Sequence, residues 1–434
     1  MTHVTVVGGG LAGIAAALAC ADAGARVTLL EARPRLGGAT FSVERDGLWL
    51  DNGQHVFLRC CTAYRGLLAR LGVEGDVVLQ ERLEIPVLRP GRRVAWLRRS
   101  DLPAPLHLGR ALARFGPLSP LDRVRVARAV RGLQRLSLDD PALDRITFAA
   151  WLGRRGQRPQ AVEALWNLIT LPTVNLPAAE ASLALAAKVF KTGLLEEAAA
   201  SDIGYAAVPL QRLHGDAAAR ALRAAGVEVR AGERVDALAA LEADALVLAV
   251  PHDEAAALLP AGALPPGVEP RRLGASPIVN LHVRYDRRVT DLPFAAGLET
   301  PVQWVFDRTA SAGLDRDQLL AISLSAAAGT ADRPLDGLRA EYLPALEELL
   351  PAARGARVVS FWATREPRAT FRGVPGTAAH RPGPRTQVEG LYLAGAWTAT
   401  GWPATMEGAV RSGLAAAQAL TEDAGGHAAL EEAA

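Results

Sequence analysis

Val4-Thr-Val-Val7, Gly8-Gly9-Gly10-Leu11-Ala12-Gly13, an Ala/Leu-rich run to Ala23, then Gly24 and Arg26-Val-Thr-Leu-Leu30 closing on Glu31: this stretch decides the fold. Residues 4–7 predict a short buried strand, 11–23 a helix, and 26–30 a second strand that ends at an acid. Strand, GxGxxG, helix, strand, acid is the order of a dinucleotide-binding βαβ unit. Gly8 makes the tight turn, Gly10 lets backbone approach a pyrophosphate, and Gly13 lets the helix pack close to the strand. The helix start offers unpaired N–H groups and partial positive charge to phosphates. Glu31 is placed to accept hydrogen bonds from ribose hydroxyls.

Working outward, the chain has 434 residues, half of them hydrophobic, 22% charged, with a net charge of +2. That length calls for two intergrown domains, and the composition excludes a disordered or collagen-like chain. The near-zero total argues against a nucleic-acid partner. It hides a local excess: residues 89–135 hold twelve Arg and two acids, Asp101 and Asp122, a local charge of +10. Three cysteines, Cys20, Cys60 and Cys61, make no disulfide framework and read as buried free thiols. The chain enters its first strand without a charged leader, and no run of about 18 uncharged apolar residues occurs. A cytoplasmic protein is expected, and no acidic metal-binding motif is present.

After Glu31 comes Arg33-Pro-Arg35-Leu-Gly37-Gly38. A Glu followed by R-x-G-G resembles the glutathione-reductase-type flavoproteins, specifically the amine oxidase and phytoene desaturase group. The far end is similar: strand 391–394, then Gly395-Ala-Trp-Thr398, Gly401-Trp-Pro403, and a helix from about Ala404. The resemblance implies α/β architecture, with a glutathione-reductase-type FAD-binding Rossmann domain and a discontinuous α+β substrate domain. It implies FAD, held non-covalently because no Cys lies near Trp397. Gly8, Gly10, Gly13, Glu31, Arg35, Gly37, Gly38, Val235 (through backbone beside the adenine), Gly395, Thr405 and Met406 are the implied cofactor contacts. Ala396 departs from the group's pattern, which usually has Asp there, so that role is not carried over. The flavin domain is expected from 1–80, 205–265 and 385–421, including a strand at 226–230, the start of another at 232–235, and a strand at 244–251. The substrate domain is expected from 82–200 and 270–375, and 422–434 is expected as a disordered tail.

Leu48-Trp-Leu-Asp51-Asn52-Gly53-Gln54-His55-Val-Phe57, Asn167-Leu-Ile-Thr-Leu-Pro-Thr-Val-Asn175, and Asp202-Ile-Gly-Tyr205 with His214-Gly-Asp216 narrow the resemblance. Together with Gly401-Trp-Pro-Ala-Thr-Met-Glu-Gly408 they resemble the squalene-associated FAD-dependent desaturases, the hydroxysqualene dehydroxylases. This resemblance implies an allylic C30 isoprenoid alcohol as substrate, losing water and gaining hydride from reduced FAD. Such chemistry needs an acid for the leaving hydroxyl and a dry pocket. His55 is the acid candidate because imidazole titrates near neutrality, with Asp51 and Glu407 in reserve; a structural histidine explains His55 equally well, and Asp202 reads as a turn or cap. Trp397, Trp402, Trp304 and Phe306 are candidates for facing a developing cation or for plain core positions. Residues 183–190 read either as a hydrocarbon tunnel wall or as an amphipathic core helix.

Within 106–135, Leu106, Leu108, Leu112, Phe115, Val124, Val130 and Leu133 alternate helically with Arg. This reads as a helix pair on an anionic membrane surface, such as the inner face of the plasma membrane, or as a solvated Arg face over core. No second GxGxxG is present, so the electron donor is unknown. The alternatives are an oxidising carotenoid-type desaturase, an amine-oxidase-like enzyme, or a non-catalytic isoprenoid carrier of related fold.

Overall fold

The computed structural model describes residues 2–431, with side chains to residue 425. Strands His3–Val7, Arg26–Glu31, Glu228–Ala231, Ala245–Leu248 and Leu391–Leu393 form one parallel sheet. Its spatial order places Glu228–Ala231 at one edge, then Arg26–Glu31, His3–Val7, Ala245–Leu248 and Leu391–Leu393. The central strands are buried on both faces, which is why they read as continuous Val/Leu runs without alternation. Gly232-Glu-Arg-Val235, expected from sequence to begin a strand, does not. It is a loop whose Gly232 and Glu233 N–H groups donate to the Arg33 and Glu31 carbonyls.

The first helix, Leu11–Asp22, buries nine of its residues because it is covered twice, by the sheet and by the closing helix Met406–Glu431. Gly413 makes the second contact close: a Cβ there would overlap the Ala12 carbonyl oxygen. The closing helix continues to Glu431, so residues 422–431, expected as a disordered tail, are helical; residues 432–434 lie outside the described residues.

A second, mostly antiparallel sheet has seven strands in the order Val358–Thr370, Ser276–Tyr285, Gln318–Leu324, Trp304–Asp307, Phe294–Gly297, Glu84–Leu88 and Ala95–Arg98. Helix Leu335–Leu349 shares one apolar cluster with it. Helices between residues 106 and 195 pack on its other end around Phe148, Trp151, Trp166 and Phe190. A small sheet of Val56–Leu58, Ile203–Ala206 and Val77–Leu79 lies between the two large ones in sequence.

The basic stretch forms a short turn Leu106–Leu108, helix Gly109–Arg114 and helix Pro120–Gln134. Phe115 and Leu133 are fully buried, and Leu108, Leu112 and Val130 pack against the same core. Most of the apolar positions expected to meet lipid therefore face protein. Leu106 and Val124 remain exposed, joined by Leu102 and Leu121.

Candidate flavin and substrate site

The cradle is built from backbone. Gly8 has φ +109°, and a Cβ there would lie 2.5 Å from the Ala249 carbonyl oxygen. A Cβ on Gly13 would overlap the Gly8 carbonyl oxygen, so first helix and first strand meet at atomic contact. Gly38, at φ +56°, crosses Gly10 so closely that its Cβ would stand 2.7 Å from the Gly10 Cα. Gly37 has φ +103° and receives the Thr40 N–H and Oγ1–H on its carbonyl. Leu11–Asp22 has no side-chain cap and no acid in its first turn, leaving its positive end unneutralised. Such a glycine-lined helix start fits a pyrophosphate. Glu31 lies beside it, its carboxylate accepting from the Gly9 and Arg33 N–H groups at 2.7 and 2.8 Å. Arg35 donates to the Gly38 carbonyl and stacks on Phe41, 3.6 Å from the ring centroid.

The strand Leu48–Asp51 leads into the second part of the site. Asp51 is buried and accepts from Ser42 Oγ (2.6 Å), the Leu210 N–H (3.0 Å) and Arg308 (2.7 Å). Arg308, also buried, donates at 2.7 Å to the Ala206 carbonyl. Asp51 is thus a clamped counter-ion, its two oxygens already shared among three donors, which corrects its reading as a reserve acid. Glu407 is corrected for the same reason. It accepts from the Ala63 and Tyr64 N–H groups and Arg411, capping helix Thr62–Leu71 from the closing helix.

His55 borders a small cavity lined by Asp51, Gln54, Val56, Tyr205, Phe306 and Arg308, among others. Burial pushes its imidazole down to about 4; Arg308 adds to this and Asp51 opposes it. Burial thus favours the neutral imidazole, which is a weaker acid than the imidazolium that the acid role called for. His282 on strand Ser276–Tyr285 is fully buried against Thr364 Oγ1 (3.3 Å) and is likewise pushed down to about 4 by burial. Thr364 and Asn280 both donate to the Asn52 carbonyl, at 3.0 and 2.9 Å, fixing the 52–55 turn to the antiparallel sheet. His214, hydrogen-bonded to Tyr64, is pushed down to about 3 by burial, with His55 adding to the shift.

These three imidazoles set a pH dependence. Unfolded, they take up protons near 6.5; folded, they resist until about 4 or below. The unfolded state therefore binds more protons between those values, so stability is full above 6.5 and falls as pH drops toward 4. Urea midpoints at pH 7.5 and pH 5 should differ accordingly, and the difference should shrink in His282→Gln. An equal difference in that variant would discount the buried histidines.

The third wall is the loop 395–402. Gly395, at φ +136°, donates its N–H to Ser412 Oγ at 2.7 Å. Arg381, missed by the sequence reading, is buried and donates to the carbonyls of Ala396, Trp397, Thr398 and Trp402. Burial lowers its guanidinium to about 10, with Asp144 opposing. Nothing local flags Arg381, which lies outside every motif. Trp397 is a core residue whose indole N–H donates to the Val250 carbonyl. Thr405 Oγ1 accepts from the Gly408 N–H and so caps the closing helix; Met406 packs in the flavin-side core. Val235 lies half-buried in the loop beyond Glu228–Ala231. Asp202, read as a turn residue, is a buried hub receiving Arg59, Arg99 and the Leu83 N–H. Helix Leu183–Phe190 buries six of its residues in two cores.

The sequence profile of the flavin-containing amine oxidoreductases matches residues 11–421. The chain belongs to that family. It is similar over its whole length to hydroxysqualene dehydroxylase of Rhodopseudomonas palustris, 32% identical over 95% of this chain and 97% of the relative. The 15-cis-phytoene desaturase of Solanum lycopersicum is 25% identical over 97% of this chain and 78% of its own. Among solved structures, putrescine oxidase bound to putrescine superposes with a TM-score of 0.70 at 19% identity, covering 97% and 99% of the two chains. Cyclohexylamine oxidase of Brevibacterium oxydans gives 0.69 at 20% identity, with the same coverage. The parallel sheet with an added antiparallel sheet is thus this family's fold, and the enzyme is a flavin-dependent oxidoreductase. Among the described residues no helix is long and apolar enough to cross a membrane, and no group of His, Cys, Asp and Glu is arranged to hold a metal.

Proposed function

We propose that this flavoenzyme is a hydroxysqualene dehydroxylase, converting an allylic C30 alcohol to squalene with loss of water. The whole-length similarity to the Rhodopseudomonas palustris relative carries this reading. The small cavity, about 10 Å³, marks one corner of the site rather than room for the substrate: Tyr205 and Phe306 line it, Phe294 and Trp304 back them, and its one carboxylate, Asp51, is neutralised by Arg308. Such a lining suits an uncharged hydrocarbon better than an ammonium substrate.

FAD would be held without a covalent bond by Gly8, Gly10, Gly13, Gly37 and Gly38, with Glu31 accepting from ribose hydroxyls and the Val235 backbone meeting the adenine. Reduced FAD supplies the hydride. Residues 1–80, 205–265 and 385–421 make up the flavin domain, and 82–200 with 270–375 the substrate domain.

The test is anaerobic. With the bound flavin reduced chemically, added hydroxysqualene should yield squalene while the flavin reoxidises. Neither change, together with reduction of oxidised flavin by phytoene or squalene, would replace this reading with that of an oxidising desaturase, to which the tomato relative is named.

The insoluble substrate also needs a lipid source. We assign an anionic bilayer to the surface of helix Pro120–Gln134, whose outer stripe runs Leu121, Val124, Arg128, Arg131 and continues to Arg135 just beyond its end. Leu102 and Leu106, 53% and 60% exposed, add two more apolar side chains within the basic stretch. Apolar side chains beside clustered Arg match an anionic membrane surface in both properties. Replacing Arg128, Arg131 and Arg135 with Gln should weaken binding to phosphatidylglycerol vesicles about 100-fold, from about 1 kcal/mol per charge. Unchanged co-sedimentation would return the stripe to solvent.

A further inference from the structure

The dehydroxylation needs a proton donor; the geometry commits both carboxylates that the sequence offered for it, and burial holds the His55 imidazole toward its neutral form. Asp51 is held by Arg308, Ser42 and the Leu210 N–H; Glu407 caps a helix away from the cavity. Gln54 also faces the cavity, but an amide is no acid. One uncommitted O–H remains in the lining.

Tyr205 stands on strand Ile203–Ala206, paired directly with Val56, the neighbour of His55. Its ring packs edge-on against Phe294 at 5.8 Å, which fixes where the side chain points. It is half-buried, it lines the cavity, and its hydroxyl has no hydrogen-bond partner among the described residues. Arg308 lines the same cavity, its Nη1 donating to the neighbouring Ala206 carbonyl. A fixed aromatic donor without a partner, beside a buried cation, is poised to bind a substrate oxygen. We propose that Tyr205 is the catalytic acid that protonates the leaving hydroxyl, with Arg308 as the positioning residue that stabilises the phenolate left behind.

This inference rests on the dehydroxylase reading. In the step, the allylic C–O bond breaks with its electron pair on oxygen, that oxygen takes the Tyr205 proton, and water leaves. The vacated carbon takes the hydride that the reduced cofactor supplies. The phenolate regains its proton from the one released as that cofactor is oxidised, so the phenol is restored each turnover. Burial raises the Tyr205 phenol above its ordinary range while Arg308 opposes the rise, so the hydroxyl is protonated throughout the neutral range. Phe306 shares the lining, with Phe294 and Trp304 packed behind it, an aromatic group beside which an allylic cation would be tolerated.

Tyr205→Phe keeps the ring packing and removes only the O–H. In the flavin-loaded enzyme, reduced anaerobically, its turnover of hydroxysqualene should fall at least 100-fold, the usual worth of a general acid being about 10²–10⁴. Binding gives a readout independent of turnover: with oxidised flavin, the Kd for hydroxysqualene should rise about 2- to 13-fold, the equivalent of one hydrogen bond, while the Kd for squalene stays unchanged. Turnover within threefold of wild type, or equal weakening for alcohol and hydrocarbon, overturns the assignment. Failure of the wild-type enzyme itself to form squalene sinks the dehydroxylase reading instead, and Tyr205's role as acid with it.

Discussion

Arg308→Met is expected to cost about 3–5 kcal/mol of folding stability, among the largest effects of any single substitution in this chain. The reason is not the lost attraction itself. Asp51 and Arg308 are both nearly out of solvent, with side chains 6% and 9% exposed, and removing the cation strands an ionised carboxylate in a low-dielectric site. Arg308 also ties strand Ile203–Ala206 to the Trp304–Asp307 side through the Ala206 carbonyl, so the cavity wall loosens with it. Urea denaturation measures the cost. Pairing the change with Asp51→Asn should restore most of the loss, because the pair is then removed together. A single variant within 1 kcal/mol of wild type would show that water already reaches the pair.

The second large effect concerns flavin capture. Gly13→Ala places a methyl group inside the Gly8 carbonyl oxygen, so the helix must move away from the first strand. Overpacking of this kind costs about 1–3 kcal/mol, and it would also displace the helix-start N–H groups proposed to meet the pyrophosphate. The variant should purify colourless, with flavin affinity lowered at least 100-fold on titration. Gly24→Ala is the matched control. Its φ of +87° strains an alanine by about 1–2 kcal/mol, but nothing lies within 4 Å of the new Cβ, so flavin loading should persist. A Gly13→Ala protein fully loaded with flavin would remove the steric argument.

The two outcomes mark where sequence reasoning reached and where it stopped. The close backbone contacts at Gly8, Gly10 and Gly13, and the place of Glu31 beside them, were legible because they follow from positions within thirty residues of one another, set by local geometry. The R-x-G-G turn was legible for the same reason, and the structure adds its purpose: Gly38 is where two backbones cross at Gly10. Asp51 and Glu407 misled because a sequence displays a carboxyl group without its partners. Arg308 stands 257 residues from Asp51, and Tyr64 343 residues from Glu407. Arg381 and His282 were invisible, since neither belongs to a local pattern and each matters through strands brought in from elsewhere. The amphipathic period at 120–134 was read correctly as a helix, but period alone cannot say which stripe is covered. Burial settled that Val126, Ala129 and Leu133 face inward.

The order of strands in the parallel sheet has a consequence in time. The central strand, His3–Val7, leaves the ribosome first, but its neighbour Ala245–Leu248 and the edge strand Leu391–Leu393 arrive far later. At about 5–20 residues per second, the N-terminal strand–helix unit waits roughly 20–80 s for the strand that completes its sheet. The helix that covers it comes later still. Throughout synthesis the glycine cradle exists only as an unfinished half, its apolar helix Leu11–Asp22 uncovered on one side. A flavin held in this cradle would therefore be captured only at the end of synthesis: a released chain should become yellow, and a C-terminally truncated one should stay colourless.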